Sequence, residues 1–311
     1  MNDWLATLSP EDRLRFDWEN HPVTRRTTGG PSPRRPEAYW GHHVARQSID
    51  YIDEAIGRKK PFLCWASFWE PHPPFYPPAD IYAAASGVSV PLAQPPATDV
   101  DAPDAVASRR AEWAHLTDVE RRQMVCGYYG LVALLDGFIE QIISHLERIG
   151  ELDRTIIVFT SDHGEQLGEH GLFLKFVMRE ASVRVPLWIR APGITPAGHT
   201  GIVEHIDLVP TLAELAGVEV PNGVSGVSLL PILRGDREGA GFPADRYALS
   251  QIEEQVMLRG RKWKLNVYEG VPAELFDIEN DPGEISNLIG RPEHRGRIAG
   301  MLEEIRRRGV K

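Results

Sequence analysis

Between Met124 and Glu165 the chain reads as an amphipathic helix, a stop, an apolar strand and a polar loop, and that order limits its architecture more than any other feature. Met124, Tyr128, Leu131, Leu135, Phe138, Ile142, Leu146 and Ile149 recur at steps of three and four, which places them on one face of a helix that Gly150 ends. The run Thr155-Ile156-Ile157-Val158-Phe159-Thr160 follows, apolar and β-branched without polar alternation, and predicts a strand covered on both faces. Ser161-Asp162-His163-Gly164-Glu165 then forms a polar loop at that strand's carboxyl end, where open α/β sheets bind ligands. Helix, buried strand and polar loop in this order predict an α/β protein.

The flanking segments extend the pattern. Val44, Ile49, Ile52 and Ile56 predict a helix ending near Gly57, and Pro61 introduces a second buried strand, Phe62 to Ser67. Val185 to Ile189 predicts another buried strand, and Asp207 a helix cap for a short helix through Gly217 with Pro210 in its first turn. Past Gly235 come short strand-like runs, Tyr247 to Ile252, Val256 to Leu258, Trp263 to Tyr268 and Glu274 to Ile278. They predict a small antiparallel sheet, closed by the turn Asn280-Asp281-Pro282-Gly283 and followed by an amphipathic helix, Arg291 to Arg308. The expected division is a larger α/β domain over residues 1–238 and a small α+β subdomain over residues 239–311. Within the first, His21 to Pro36 holds Arg25, Arg26, Arg34 and Arg35 among glycines and prolines and reads as a solvated loop or arm, and Gln94 to Asp99 as another loop.

Composition narrows the function. The chain has 311 residues and 34 Lys+Arg against 44 Asp+Glu, a formal charge of −10. That balance opposes nucleic-acid and anionic-membrane binding, which draw on clustered basic side chains, but leaves room for a small anionic substrate in a locally basic pocket. Cys64 and Cys126 are the only cysteines, too few for a disulfide framework, and read as two small buried hydrophobes. The opening residues lack a basic segment followed by an apolar core, and no uninterrupted apolar stretch of about 18 residues occurs. A cytoplasmic chain is the expectation, with a periplasmic or secreted location open if the true amino terminus lies elsewhere.

Two places could carry chemistry. In the first loop the Asp162 carboxylate and the His163 imidazole can converge on one divalent cation, while on those five residues alone a capped turn with an exposed histidine is the plainer reading. Gly168-Glu169-His170-Gly171 and Lys175 add polar groups to the same loop, without the His-Glu-x-x-His spacing of a helical zinc site. The second place is His72 in Pro71-His72-Pro73-Pro74-Phe75, presented by flanking prolines past the Phe62 to Ser67 segment, or simply a surface histidine in a proline-rich turn. His205, Asp207 and Asp136 read as structural.

Five stretches together resemble the sulfatase family of the alkaline-phosphatase-like superfamily, from about Arg46 to Leu288. They are Lys60-Pro61-Phe62-Leu63 with Pro71 to Phe75; Tyr128-Tyr129-Gly130 to Asp136; Ile156 to Glu165 with Leu167 to Leu172; Asp207 to Leu212, leading into Gly226 to Pro231; and Glu274 to Asp277 with Asn280 to Glu284. The resemblance implies an alkaline-phosphatase-like α/β/α sandwich, its amino-terminal part missing, with a small carboxyl-terminal antiparallel sheet plus helix. It implies hydrolysis of a sulfate ester with a divalent metal, calcium, and a formylglycine nucleophile. In that pattern Asp162 and His163 are metal ligands, Lys175 contacts the sulfate, and His72 hydrogen-bonds the sulfate or the leaving oxygen.

The departures are as informative. The family's Cys-x-Pro-x-Arg nucleophile motif has no counterpart: Trp65-Ala66 follow Cys64, Gly127-Tyr128 follow Cys126, and Pro31-Ser32-Pro33-Arg34-Arg35 has proline where the reactive side chain belongs. The amino-terminal Asp-Asp pair is absent too, and Phe176 stands where a histidine often follows the lysine. The expectation is therefore a sulfatase-type hydrolase lacking its nucleophile segment, acting on a small sulfated substrate, with self-association or a complementing amino-terminal fragment as its partner. The alternatives are a phosphodiesterase or phosphonate monoester hydrolase of the same superfamily, and a catalytically inactive sulfatase-like binding protein.

Overall fold

A computed structural model describes residues 2–19, 29–90, 92–93, 102–195, 197–235 and 245–310. Arg25, Arg26, the Gln94 to Asp99 loop and the expected boundary at residue 238 lie outside those residues. The chain divides into two compact units, Met1–Ala93 with His115–Asp153, and Gln94–Ala114 with Arg154–Lys311.

The first unit is helical, and its centre is the helix Asp118–Arg148. Thr117 and Glu120 start it with a reciprocal capping box, and Gly150, at φ +73°, turns the chain away at the other end. It packs against the helices Trp40–Gly57 and Ala79–Ser86. Its buried face runs through Met124, Gly127, Leu131, Leu134, Phe138 and Leu146. Leu135 and Ile142 are only half-buried and Ile149 is exposed, because two neighbouring helices draw the stripe toward Leu134. By length and composition this helix could cross a bilayer, though its buried stripe is also what a core helix shows.

Close backbone approach fixes the segment that follows residue 72. A Cβ on Gly127 would collide with the Phe75 carbonyl oxygen, and one on Gly130 with the Pro77 ring. Phe75 is 1% exposed, and Gly29 and Ser32 bridge to Phe75 and Pro78. The described end of the arginine-rich stretch is thus no solvated arm. Ser32 is fully buried, and Arg34, 8% exposed, lies 4.0 Å from the centre of the Tyr39 ring. The cation and the ring desolvate each other, which composition alone does not reveal.

The expected buried strand Phe62 to Ser67 is not a strand. The segment is extended, with exposure alternating along it, so that Leu63 is 78% and Trp65 87% exposed, and no ladder partner occurs among the described residues. An apolar run supplies a strand's side chains but not the neighbour that completes its hydrogen bonds. Cys64, correspondingly, is half-buried, whereas Cys126 is buried as expected.

In the second unit, β1 (Ile157–Thr160) and β2 (Leu187–Arg190) form a two-stranded antiparallel sheet with Ile157 opposite Arg190 and Thr160 opposite Leu187. Neither is covered on both faces: β1 is half-buried throughout, and Trp188 of β2 is 71% exposed. The carboxyl-terminal sheet has the expected form. Strands β3 (Ala248–Ile252), β4 (Gln255–Arg259), β5 (Trp263–Tyr268) and β6 (Val271–Asp277) make an antiparallel meander in chain order. Val256, Leu258, Leu265, Val267 and Leu275 of its inner face pack on Met301 and Ile305 of the helix Arg295–Arg307. The short helix Leu208–Leu215 follows a single 3-10 turn, His205–Asp207. The Asp207 side chain does not cap it. That carboxylate instead accepts the Glu204 and Val227 N–H groups at 2.8 and 2.9 Å and both terminal nitrogens of Arg246.

Candidate functional site

The loop from Ser161 to Phe176 leaves the carboxyl end of β1 and is shaped by its own backbone. The Ser161 hydroxyl donates to the His163 carbonyl at 2.8 Å, and the His163 N–H donates to Asp162 Oδ1 at 3.0 Å. His163 Nδ1 lies 2.8 Å from the Gly164 carbonyl oxygen, so Nδ1 donates there, and in the neutral imidazole Nε2 is the nitrogen with a lone pair. That nitrogen sits 3.6 Å from Asp162 Oδ2, close enough for both atoms to reach one cation. The Asp162 side chain is 85% and the His163 side chain 34% exposed, so the pair faces solvent.

Lys175 is held by a different device. Leu174 and Phe176 on either side have φ +66° and +76°, the left-handed region that bulky residues avoid at a cost of about 1–3 kcal/mol each. The surrounding structure holds them there. Leu172 and Val177 are buried against Val106 and Tyr268, Gln166 N donates to Leu174 O at 3.0 Å, and Arg110 Nε donates to His170 O at 2.7 Å. Glu165 closes the loop by accepting the Leu174 N–H at 2.5 Å. Burial pushes its carboxyl up to about 7, against the opposing pull of the Leu167 and Leu174 N–H groups and Lys175.

His72 lies in the other compact unit, in a turn with cis peptide bonds at Glu70-Pro71 and Pro73-Pro74. Its ring lies against Trp69, tilted by 53° with centroids 4.4 Å apart, and its Nδ1 donates to the Pro73 carbonyl oxygen at 2.8 Å. The structure therefore brings Asp162 and His163 together, places Lys175 on the same loop, and puts His72 elsewhere in the chain. His205, which reads as merely structural in the sequence, joins the end of β1. Its Nε2 is 2.9 Å from Thr160 Oγ1, the last side chain of that strand, while the same hydroxyl donates to Pro186 O. Nothing in the sequence couples two positions so far apart.

On this loop Asp162 and His163 are the residues whose donor atoms could hold a cation. A carboxylate oxygen beside an imidazole nitrogen whose other ring nitrogen is hydrogen-bonded to a carbonyl suits a divalent ion. Among the described residues no group of three or more His, Cys, Asp or Glu side chains converges to hold one.

The fold resembles that of the phosphonate monoester hydrolase of Silicibacter pomeroyi, with a TM-score of 0.74 and 24% identity over 97% of this chain and 69% of that one. That likeness is one of fold, and the fold is alkaline-phosphatase-like, carrying here a small carboxyl-terminal four-stranded sheet. Within that class the chain belongs to the sulfatase family: the Sulfatase family model matches residues 11–218, and the model for the carboxyl-terminal region of N-sulphoglucosamine sulphohydrolase matches residues 168–310. It is 30% identical to the choline-sulfatase of Rhizobium meliloti (strain 1021) over 294 residues, 89% of this chain and 57% of that protein. It is 37% identical to arylsulfatase K of Xenopus laevis over 192 residues, 57% of this chain and 36% of that protein. The chain thus spans little more than half the length of the first of these relatives and about a third of the second.

Proposed function

We propose that this chain supplies the cation-binding and sulfate-binding part of a hydrolase of small sulfate esters. The observation that carries this reading is the Asp162–His163 pair, 3.6 Å apart at the end of β1, inside the region matched by the Sulfatase model. Asp162 Oδ2 and His163 Nε2 would hold a divalent ion, calcium, whose charge, when bound, favours the anionic transferring group. By the family resemblance, Lys175 would add a second positive charge toward the sulfate, and His72, protonated at Nε2, would donate a hydrogen bond to the sulfate or the leaving oxygen. A formylglycine nucleophile has no candidate here: Cys126 is buried, Cys64 lies in the extended Phe62 segment, and Ser32 is fully buried.

Three consequences belong to the proposal. The pure chain turns over 4-nitrophenyl sulfate negligibly, two ligands of a larger set hold calcium weakly, and the partner is a complementing amino-terminal fragment or a second copy. Calorimetric titration with calcium tests the pair: weak binding lost in both Asp162→Asn and His163→Ala supports it, and binding unaltered by either variant refutes it. Co-expression with the amino-terminal half of a sulfatase then tests the substrate. A second reading, hydrolysis of phosphonate monoesters, is favoured by the match to the Silicibacter pomeroyi enzyme over 97% of this chain. The complemented protein would then cleave a phenyl phosphonate ester faster than the sulfate. Calcium binding without turnover of either ester would identify an inactive binding protein.

A further inference from the structure

The loop that carries Asp162, His163 and Lys175 is fastened to the carboxyl-terminal sheet by buried charges that the proposed chemistry does not use. The fastening runs through Met178 to Val183. On one side this segment meets the loop: Gly164 N donates to Ser182 O at 2.8 Å and Gln166 Nε2 to Ser182 Oγ at 2.7 Å. The fit is tight enough that a Cβ on Gly164 would run into the Ala181 carbonyl.

On its other side the segment is ion-paired to the sheet. Arg179 reaches Glu274 Oε1 at 2.5 Å and the Glu284 carbonyl oxygen at 2.7 Å, with its guanidinium over the Phe276 ring. Lys264 Nζ lies 2.9 Å from Glu180 and 2.8 Å from Glu284. The Glu180 N–H donates to Glu284 Oε2 at 2.7 Å, and Asn266 and Tyr268 complete the partners of Glu274. Arg179, Lys264, Glu274 and Glu284 are each at most 3% exposed. Three carboxylates thus face Arg179, Lys264 and the neighbouring Arg259.

Buried ion pairs are commonly no more stabilising than apolar side chains of similar volume, so the role inferred for these is directional: to hold one geometry. We infer that Arg179, Glu274, Lys264 and Glu284 are positioning residues: through Ser182 and the Met178 to Val183 segment they set the placement of the Asp162–His163 pair and of Lys175. The carboxyl-terminal sheet is then part of the site's construction. The inference rests on reading those three residues as the site.

Hydrogen exchange on the full chain, read by mass spectrometry, tests it with Arg179→Gln, Glu274→Gln and the charge-keeping Arg179→Lys. In both glutamine variants, amides of residues 161–176 exchange roughly tenfold faster or more, while Val256 to Leu258 and the helix Arg295–Arg307 stay within about twofold of the parent. Arg179→Lys restores part of the protection. Unchanged exchange in 161–176, or an equal rise in Val256 to Leu258, overturns the inference, because a purely structural defect loosens the sheet as well. If the glutamine variants do not fold, Arg179→Lys alone decides by the same comparison of loop with sheet. Calcium titration of the parent separates the two ideas: no binding there removes the site reading, while the exchange pattern still decides the positioning.

Discussion

Arg246 closes both terminal nitrogens on the Asp207 carboxylate at 2.7 Å each, and Asp207 is completely buried. The same guanidinium reaches Glu204 at 2.9 Å, and Glu204 also faces Arg308 at 3.4 Å. Removing Arg246 leaves a buried carboxylate with only backbone donors. Arg246→Ala is expected to lower unfolding stability by about 3–5 kcal/mol, and Arg246→Lys by less because the charge remains. Urea titration followed by far-ultraviolet circular dichroism measures both, and an alanine variant within about 1 kcal/mol of the parent contradicts the assignment.

Glu165 predicts a pH dependence of the opposite sign to that of an ordinary ion-paired carboxylate. Burial raises its folded-state value to about 7, above the unfolded value of 4.5, so the folded chain holds this proton more tightly. Its contribution is complete below the unfolded value and is lost as pH rises through about 7. The residue is only half-buried as a whole, so the loss is about 1–2 kcal/mol after allowance for solvent. Glu165→Gln keeps an acceptor for the Leu174 N–H and abolishes this part of the slope. The measurement is the difference in stability between about pH 5 and about pH 8 for parent and variant, and equal slopes would show that Glu165 does not titrate in this range.

Two glycines of one helix give opposite outcomes. Alanine in a helix interior gains up to about 1 kcal/mol over glycine, and Gly137 has open space where a Cβ would stand, so Gly137→Ala stabilises. At Gly127 the new methyl meets the Phe75 carbonyl oxygen, a backbone atom that cannot turn aside. Overpacking of about 1–3 kcal/mol outweighs the helical gain, and Gly127→Ala destabilises. Thermal midpoints of the two variants moving in the same direction would contradict the packing described for Phe75.

Leu63 and Trp65 present large apolar side chains on an extended segment without a ladder partner among the described residues. Such an edge associates with other chains. Leu63→Lys with Trp65→Lys is expected to leave unfolding stability within about 0.5 kcal/mol per site while reducing concentration-dependent association in light scattering. Stability falling by several kcal/mol would mean that these side chains are covered in the folded chain.

Elements whose patterns lie within a short stretch of chain are legible in the sequence alone. The helix Asp118–Arg148 has its periodicity, its capping box and its terminal glycine within its own sequence, and the four carboxyl-terminal strands pair with their neighbours in chain order. Ser161 to Glu165 stands out because a polar cluster follows an apolar strand, and the structure puts Asp162 and His163 within reach of one cation.

Partnership over distance is not legible there. Phe62 to Ser67 and Thr155 to Thr160 are both apolar runs of strand length, yet only Ile157 to Thr160 of the second lies in a ladder, because a strand's neighbour is chosen by chain far from it. Arg179 and Glu274 meet across 95 positions and His205 and Thr160 across 45, and no local signal marks either pair. Local periodicity and turn chemistry therefore determined which elements form and where the polar loop falls. Burial by distant segments decided which charges are paired, how Lys175 is held between two left-handed residues, and which apolar side chains remain in water, since desolvation depends on the whole surroundings of a group and not on its neighbours in sequence.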